Sequence, residues 1–177
     1  MAYRRQFSWL MLIGAARFQG YICGSRDAGV SAQIKERVMR ESAIPPGFTP
    51  LPRSSPLLEL IGPVYGCGSG SELRVGLRAD ARHANGRGTV HGGIIATLAD
   101  IGMGYAMAFS SDPPLPLITA SMTLDYLGAV QVGEWLEVRL EHAKRGRQMA
   151  FATVVLRVGE REVARASGVF AVPTAAL

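Results

Sequence analysis

Hydrophobic and polar positions along the chain form two kinds of pattern: one long apolar segment and, on either side of it, runs that alternate residue by residue. Leu73, Val75, Leu77 and Ala79 alternate with Glu72, Arg74, Gly76 and Arg78, the period-two signature of a half-buried antiparallel strand. Ile118, Ala120, Met122, Leu124 and Tyr126 alternate with Thr119, Ser121, Thr123 and Asp125, and Leu136, Val138 and Leu140 with Trp135, Glu137, Arg139 and Glu141. Lys144-Arg145-Gly146-Arg147 reads as the turn into a strand over 148–158, and Gly159-Glu160 as the turn into another over 162–172. Leu57 to Tyr65 reads as a first strand, interrupted at Gly62-Pro63 and followed by the flexible Gly66-Cys67-Gly68-Ser69-Gly70 connection.

The apolar segment runs from Gly92 to Phe109 with one charged residue, Asp100. Apolar almost all round, it is either a buried helix or a membrane span. The mid-segment carboxylate, glycines at 102 and 104, the absence of close Lys/Arg anchors and the bracketing polar-alternating strands favour the buried helix. Ala150, Ala152, Val154, Ala164, Ala166 and Gly168 give the last two strands a face of small residues that lets a helix approach closely. Two strands, a long helix and four more strands make an α+β domain. In it a curved antiparallel sheet of five to six strands wraps one central helix.

That domain is expected over residues 55–173. Residues 30–54 read as a short amphipathic helix over Ser31–Ser42 and a proline-rich arm laid on the domain. Residues 1–29 read as a poorly ordered or non-native extension. Its Arg4-Arg5 pair followed by Trp9–Ala16 resembles a twin-arginine export signal, but the apolar run is interrupted by Arg17 and no clean cleavage site follows.

Composition changes little in this picture. Hydrophobic content of 48% and charged content of 19% over 177 residues suit a globular chain. A net charge of +5 could suggest nucleic acid, but no Lys/Arg block exceeds two residues and none is interleaved with aromatics. The reading is no nucleic acid and no membrane, with a basic surface equally suited to a small ligand bearing several phosphates. Cys23 and Cys67 have no metal-ligand spacing; they read as free thiols of a reducing, cytoplasmic setting, with no metal.

The candidate chemistry lies in Asn85–Asp100, where a glycine-rich loop enters the helix through His91-Gly92-Gly93. A helix N-terminus opening on two glycines presents unsatisfied N–H groups and positive dipole to a ligand that can approach the backbone closely. This suits an oxyanion hole for an ester or thioester carbonyl. A lone carboxylate on a buried helix either completes a polar network or does chemistry. Gly92 and Asp100 are eight residues apart, about 12 Å along a helix axis, too far for one reacting carbonyl to touch both in one chain. If both act on one substrate, they come from two copies with antiparallel helices, which implies a two-fold dimer.

Asn85, Gly88, Val90-His91-Gly92-Gly93 and Leu98-Ala99-Asp100 resemble the signature of the PaaI-like branch of hotdog-fold acyl-CoA thioesterases. Tyr126-Leu127-Gly128-Ala129, Gly133-Glu134 and Lys144–Arg147 fall where such proteins carry similar elements, so the resemblance covers roughly residues 55–172. It implies Asp100 as general base or nucleophile, a Gly92 N–H on the thioester oxygen, and Asn85 positioning carbonyl or water across an interface. It implies His91 as a loop support or carbonyl polariser, Thr119 as a residue that orients water, and Gly93 in the substrate site. It makes Lys144, Arg145 and Arg147 candidates for coenzyme A phosphates, although a solvated hairpin tip fits them as well. It further implies homodimers, commonly paired into tetramers, and no cofactor beyond the coenzyme A of the substrate. It gives His83 no role; His142 reads as a sheet residue satisfied by a partner. Two other functions stay open: an acyl-CoA-binding module without turnover, and a hotdog dehydratase or hydratase using His91 and Asp100. Acyl preference, coenzyme A against carrier-protein thioesters, and nucleophile against general base are left open.

Overall fold

The alternating runs pair into one antiparallel sheet in a computed structural model that describes residues 43–52 and 55–173. The readings of residues 1–29 and of Ser31–Ser42 lie outside those residues, as does Cys23. All described residues belong to one compact unit. In chain order the elements are β1 (Thr49–Pro50), α1 (Pro56–Ile61), β2 (Val64–Cys67), β3 (Arg74–Arg78), α2 (Gly92–Ala108), β4 (Ile118–Tyr126), β5 (Trp135–Arg145), β6 (Met149–Val158) and β7 (Arg161–Ala171). Two single-turn 3₁₀ segments, Gly70–Glu72 and Ala81–His83, precede β3 and follow it. The sheet order is β1-β2-β3-β5-β6-β7-β4. It comprises six longer strands and the two-residue β1, in which the proline-rich arm pairs with Tyr65 and Gly66. Phe48 of that arm is buried edge-on against Trp135, ring centroids 5.0 Å apart.

The first strand expected over Leu57 to Tyr65 is corrected. Its first half is the helix α1, and the strand starts only at Val64. The local signals favour a helix: Ser55 caps it by accepting from the Leu58 N–H at 3.3 Å, and Pro56 stands in the first turn. The buried pair Leu58 and Ile61 is spaced i, i+3, while Leu57 and Leu60 are exposed.

The central helix α2 lies on the inner face of the sheet through a continuous stripe, Ile95, Leu98, Ala99, Gly102, Met103, Ala106 and Met107, all buried. The small residues make the approach close. A Cβ on Gly102 would stand 2.5 Å from Val138 Cγ1, and one on Gly168 would stand 2.9 Å from Met103 Cε. Gly104 is different: its Cβ would be 3.8 Å from Phe170, an ordinary contact. The expectation of a helix buried all round therefore needs refining. The chain covers one stripe, and the opposite side, with Thr97, Asp100, Ile101 and Gly104, is only partly buried.

Candidate active site

The loop leading into α2 is closed on itself. The Asn85 N–H donates to the Thr89 carbonyl at 2.7 Å, and Asn85 Nδ2 donates to Thr89 Oγ1 at 3.0 Å. Asn85 Oδ1 accepts from the Arg87 N–H at 2.8 Å, an Asx turn. Gly88, at φ +80°, lets the chain reverse. Both ends of the Asn85 amide are thus engaged within the loop. The loop is then fixed to the body: Val90 N–H donates to the Val130 carbonyl and His91 N–H to the His83 carbonyl, each at 2.8 Å. His83 is buried, with Nδ1 accepting from the Asp80 N–H at 2.8 Å and Nε2 bonded to the Ile61 carbonyl at 2.6 Å. With Nδ1 accepting, Nε2 carries the proton toward the Ile61 carbonyl. His83 is therefore a buried structural residue that ties α1 to the entrance of α2, a role the sequence reading did not give it.

At the helix start His91 is the N-cap. Its carbonyl accepts from Ile94 N–H at 2.9 Å and its Nδ1 from Gly93 N–H at 2.9 Å. The Gly93 N–H is therefore taken up within the chain, whereas the Gly92 N–H has no acceptor among the described residues. Tyr126, at the end of β4, donates its hydroxyl to the Gly92 carbonyl at 2.9 Å. A Cβ on residue 92 would lie 2.9 Å from that same hydroxyl oxygen, so glycine is what lets Tyr126 sit there. Sequence reasoning gave Tyr126 no role of its own, because nothing local links residues 34 positions apart.

Asp100 lies two turns along, on the partly buried side of α2. Thr119 Oγ1 donates to its Oδ1 at 2.8 Å. Strict alternation along β4 would put Thr119 on the sheet face opposite Met122 and Leu124. The register shows how it arrives: Thr119 pairs with Phe170 and Met122 with Gly168, both facing the helix, with a bulge between Thr119 and Ser121. The extra residue, Ala120, turns Thr119 onto the inner face beside Asp100. The expected apolar face of β4 is corrected accordingly: Ile118 and Ala120 are exposed.

The basic residues lie at the same end of the sheet. Arg145 pairs with Ala150, Ala150 with Phe170 and Phe170 with Thr119. That row spans three strand spacings, about 14 Å at ~4.8 Å each. Lys144, Arg145 and Arg147 are exposed. His142 is corrected: it is exposed on the outer face, opposite Thr153, with no hydrogen-bond partner among the described residues. It borders an outer-face groove of about 340 Å³ with Ser121, Lys144, Phe151 and Thr153. Glu162 is held below the ordinary carboxylate range by its hydrogen bond from Arg165, and then by Arg157. Among the described residues no group of three or more His, Cys, Asp or Glu is placed to hold a metal ion. No helix among them is long and apolar enough to cross a membrane.

A seven-stranded antiparallel sheet around one long helix, with a glycine-opened helix start and a carboxylate two turns on, defines an α+β hotdog protein of the thioesterase kind. The chain belongs to the thioesterase superfamily and is a thioesterase by that membership. The family model of the Thioesterase superfamily matches residues 87–165. The chain is 53% identical over 132 residues to the protein described as "Putative esterase PA0474" of Pseudomonas aeruginosa, across 73% of this chain and 98% of that one. It is 30% identical over 80 residues to mouse "Acyl-coenzyme A thioesterase 13", across 45% of this chain and 56% of that protein. The structure of a mutant of phenylacetic acid degradation protein PaaI from Thermus thermophilus superposes with a TM-score of 0.61 at 24% identity. That match covers 67% of this chain and 100% of the PaaI chain, a likeness of fold.

Proposed function

We propose that the chain hydrolyses acyl-CoA thioesters to free acid and thiol at sites shared between two copies, without metal or cofactor. The carrying observation is the Thr119–Asp100 hydrogen bond on the half-covered side of α2. It occupies Oδ1 and orients the carboxylate, and Oδ2 accepts no hydrogen bond from the described residues. The Thr119 hydroxyl keeps lone pairs that accept from a water bound at Oδ2. Asp100 as general base takes a proton from that water, the hydroxide adds to the thioester carbon, and the C–S bond breaks as the thiolate leaves. The alternative is attack by Asp100 itself, giving a mixed anhydride that water then opens. The Gly92 N–H, lacking an acceptor in its own chain, donates to the developing oxyanion. His91 presents Nε2 toward the same carbonyl, and the Asn85 loop shapes its approach.

Two observations support the dimer. The partly buried side of α2 carries Asp100 among Thr97, Ile101 and Gly104, a strip of small and medium side chains suited to a second helix. The strand β4 is a nine-residue sheet edge with Ile118, Tyr126 and neighbouring Leu127 exposed, a template for pairing with a second copy. Lys144, Arg145 and Arg147 then meet coenzyme A phosphates at the rim, and such a protein works in the cytoplasm. The name of the mouse relative supports the acyl-CoA class.

The test is thiol release from a panel of aryl- and alkyl-CoA thioesters, with Asp100→Asn and Asn85→Ala proteins assayed alone and mixed. The expected result is near-total loss in each variant alone and partial recovery in mixed dimers, where one site keeps both intact halves. No recovery would sink the shared site. Absence of thiol release from the whole panel would instead favour a silent binder or a dehydratase.

A further inference from the structure

We infer that Tyr126 is a positioning residue for the oxyanion end of the site, acting through the Gly92–Gly93 peptide; this rests on the reading proposed above. The Tyr126 hydroxyl donates to the Gly92 carbonyl at 2.9 Å, and the Gly93 N–H donates to His91 Nδ1 at 2.9 Å. The carbonyl and the N–H belong to one planar peptide group and point in opposite directions. A single rigid plane is therefore held from both sides, by a strand residue and by the helix cap.

The two residues flanking that plane are the ones least able to hold it themselves, since neither glycine has a Cβ to restrict its torsions. A stiffer residue at position 92 would displace the tyrosine, because a Cβ would meet its Oη at 2.9 Å and its Cζ at 3.0 Å. The chain thus exchanges side-chain restraint at position 92 for a hydrogen bond from position 126. The Gly92 N–H belongs to the preceding peptide, whose carbonyl accepts from the Ile94 N–H at 2.9 Å, so both planes that meet at Gly92 are held.

The same plane acts on His91. Donation by Tyr126 to the carbonyl polarises the peptide and strengthens its N–H as a donor. That N–H meets Nδ1, which must then be unprotonated in the neutral ring, leaving the proton on Nε2. Tyr126 so favours the tautomer in which His91 is a donor toward the substrate carbonyl. The residue does this without lying in the core: it is 55% exposed, and its ring serves mainly to deliver a hydroxyl to the helix start.

The experiment compares Tyr126→Phe with the wild-type chain in thiol release from an acyl-CoA the protein turns over. His91→Ala and Asp100→Asn are followed in parallel. Loss of one hydrogen bond at this peptide is expected to lower kcat about three- to tenfold, with KM changed less than twofold and the melting temperature nearly unchanged. Nitrogen NMR of the His91 ring should show the Nε2–H form in the wild type and a shift toward the other tautomer in Tyr126→Phe. Combined with His91→Ala, the change should add little, because both act on one peptide. An unchanged kcat, an effect confined to KM, or full additivity with His91→Ala would overturn this inference while Asp100→Asn remained inactive. Full activity in Asp100→Asn would overturn the underlying reading, and this inference with it.

Discussion

The two ends of the site on α2 are held in opposite ways. At the helix start, His91, Gly93, Ile94 and Tyr126 close on one another, and the Asn85–Thr89 loop satisfies its own polar groups. At Asp100, one hydrogen bond from an edge strand is the tie, on the side of the helix that the chain leaves partly open. One end is held within a single chain, with only its Gly92 N–H left open among the described groups, and the other looks outward. A carboxylate half-covered and tied by one hydroxyl suits an element completed by a second copy, whereas the rigid N-terminus suits one that must be preformed.

The sharpest way to break that contrast is at Asp100. Asp100→Asn should lower kcat by about 10²–10⁴, the range for a positioned base, and leave the melting temperature nearly unchanged, as measured by thiol release and thermal denaturation. Next is the bulge. Deleting Ala120 should turn Thr119 to the outer face and lower kcat tenfold or more, since a hydrogen bond to a charged group is worth about 1.5–3 kcal/mol. Thr119→Ala should do the same, and the two together should cost no more than either; a fully active deletion protein would show that the bulge does not aim the threonine. A packing change on the covered side of α2 should separate from both. Gly102→Ala meets Val138 and should destabilise by about 1–3 kcal/mol, read by denaturant melts, with kcat unchanged well below the melting temperature. Gly104→Ala should have no such effect on the isolated chain. Any loss it does cause should appear in the dimer dissociation constant.

The sequence carried the elements whose period is undisturbed. Leu73 to Ala79 alternates and is buried on its apolar positions, and the small residues of β6 and β7 lie under α2 as their spacing suggests. It failed where a single residue breaks the count. Read straight through, the alternation puts Thr119 and Asp100 on different sides; the family resemblance put Thr119 in the site, and the bulge at Ala120 accounts for the difference. Leu57 to Ile61 carried a cap and an i, i+3 pair that an apolar run of that length can hide. Strand order was not legible, because nothing in β4 itself says that it will lie beside β7 at the far edge. For the same reason the Tyr126–Gly92 contact and the burial of His83 appear only once the chain is folded.

The strand β4 makes two side-chain hydrogen bonds to α2, through Thr119 at Asp100 and through Tyr126 at Gly92. Thr119 and Tyr126 differ in parity and share the inner face only because of the bulge at Ala120, so between those two contacts the chain must keep that one extra residue. Adding or removing one residue would invert one contact relative to the other, while a change of two would preserve the facing and merely displace it. In the divergence of this strand, paired insertions or deletions should therefore be tolerated where single ones are not.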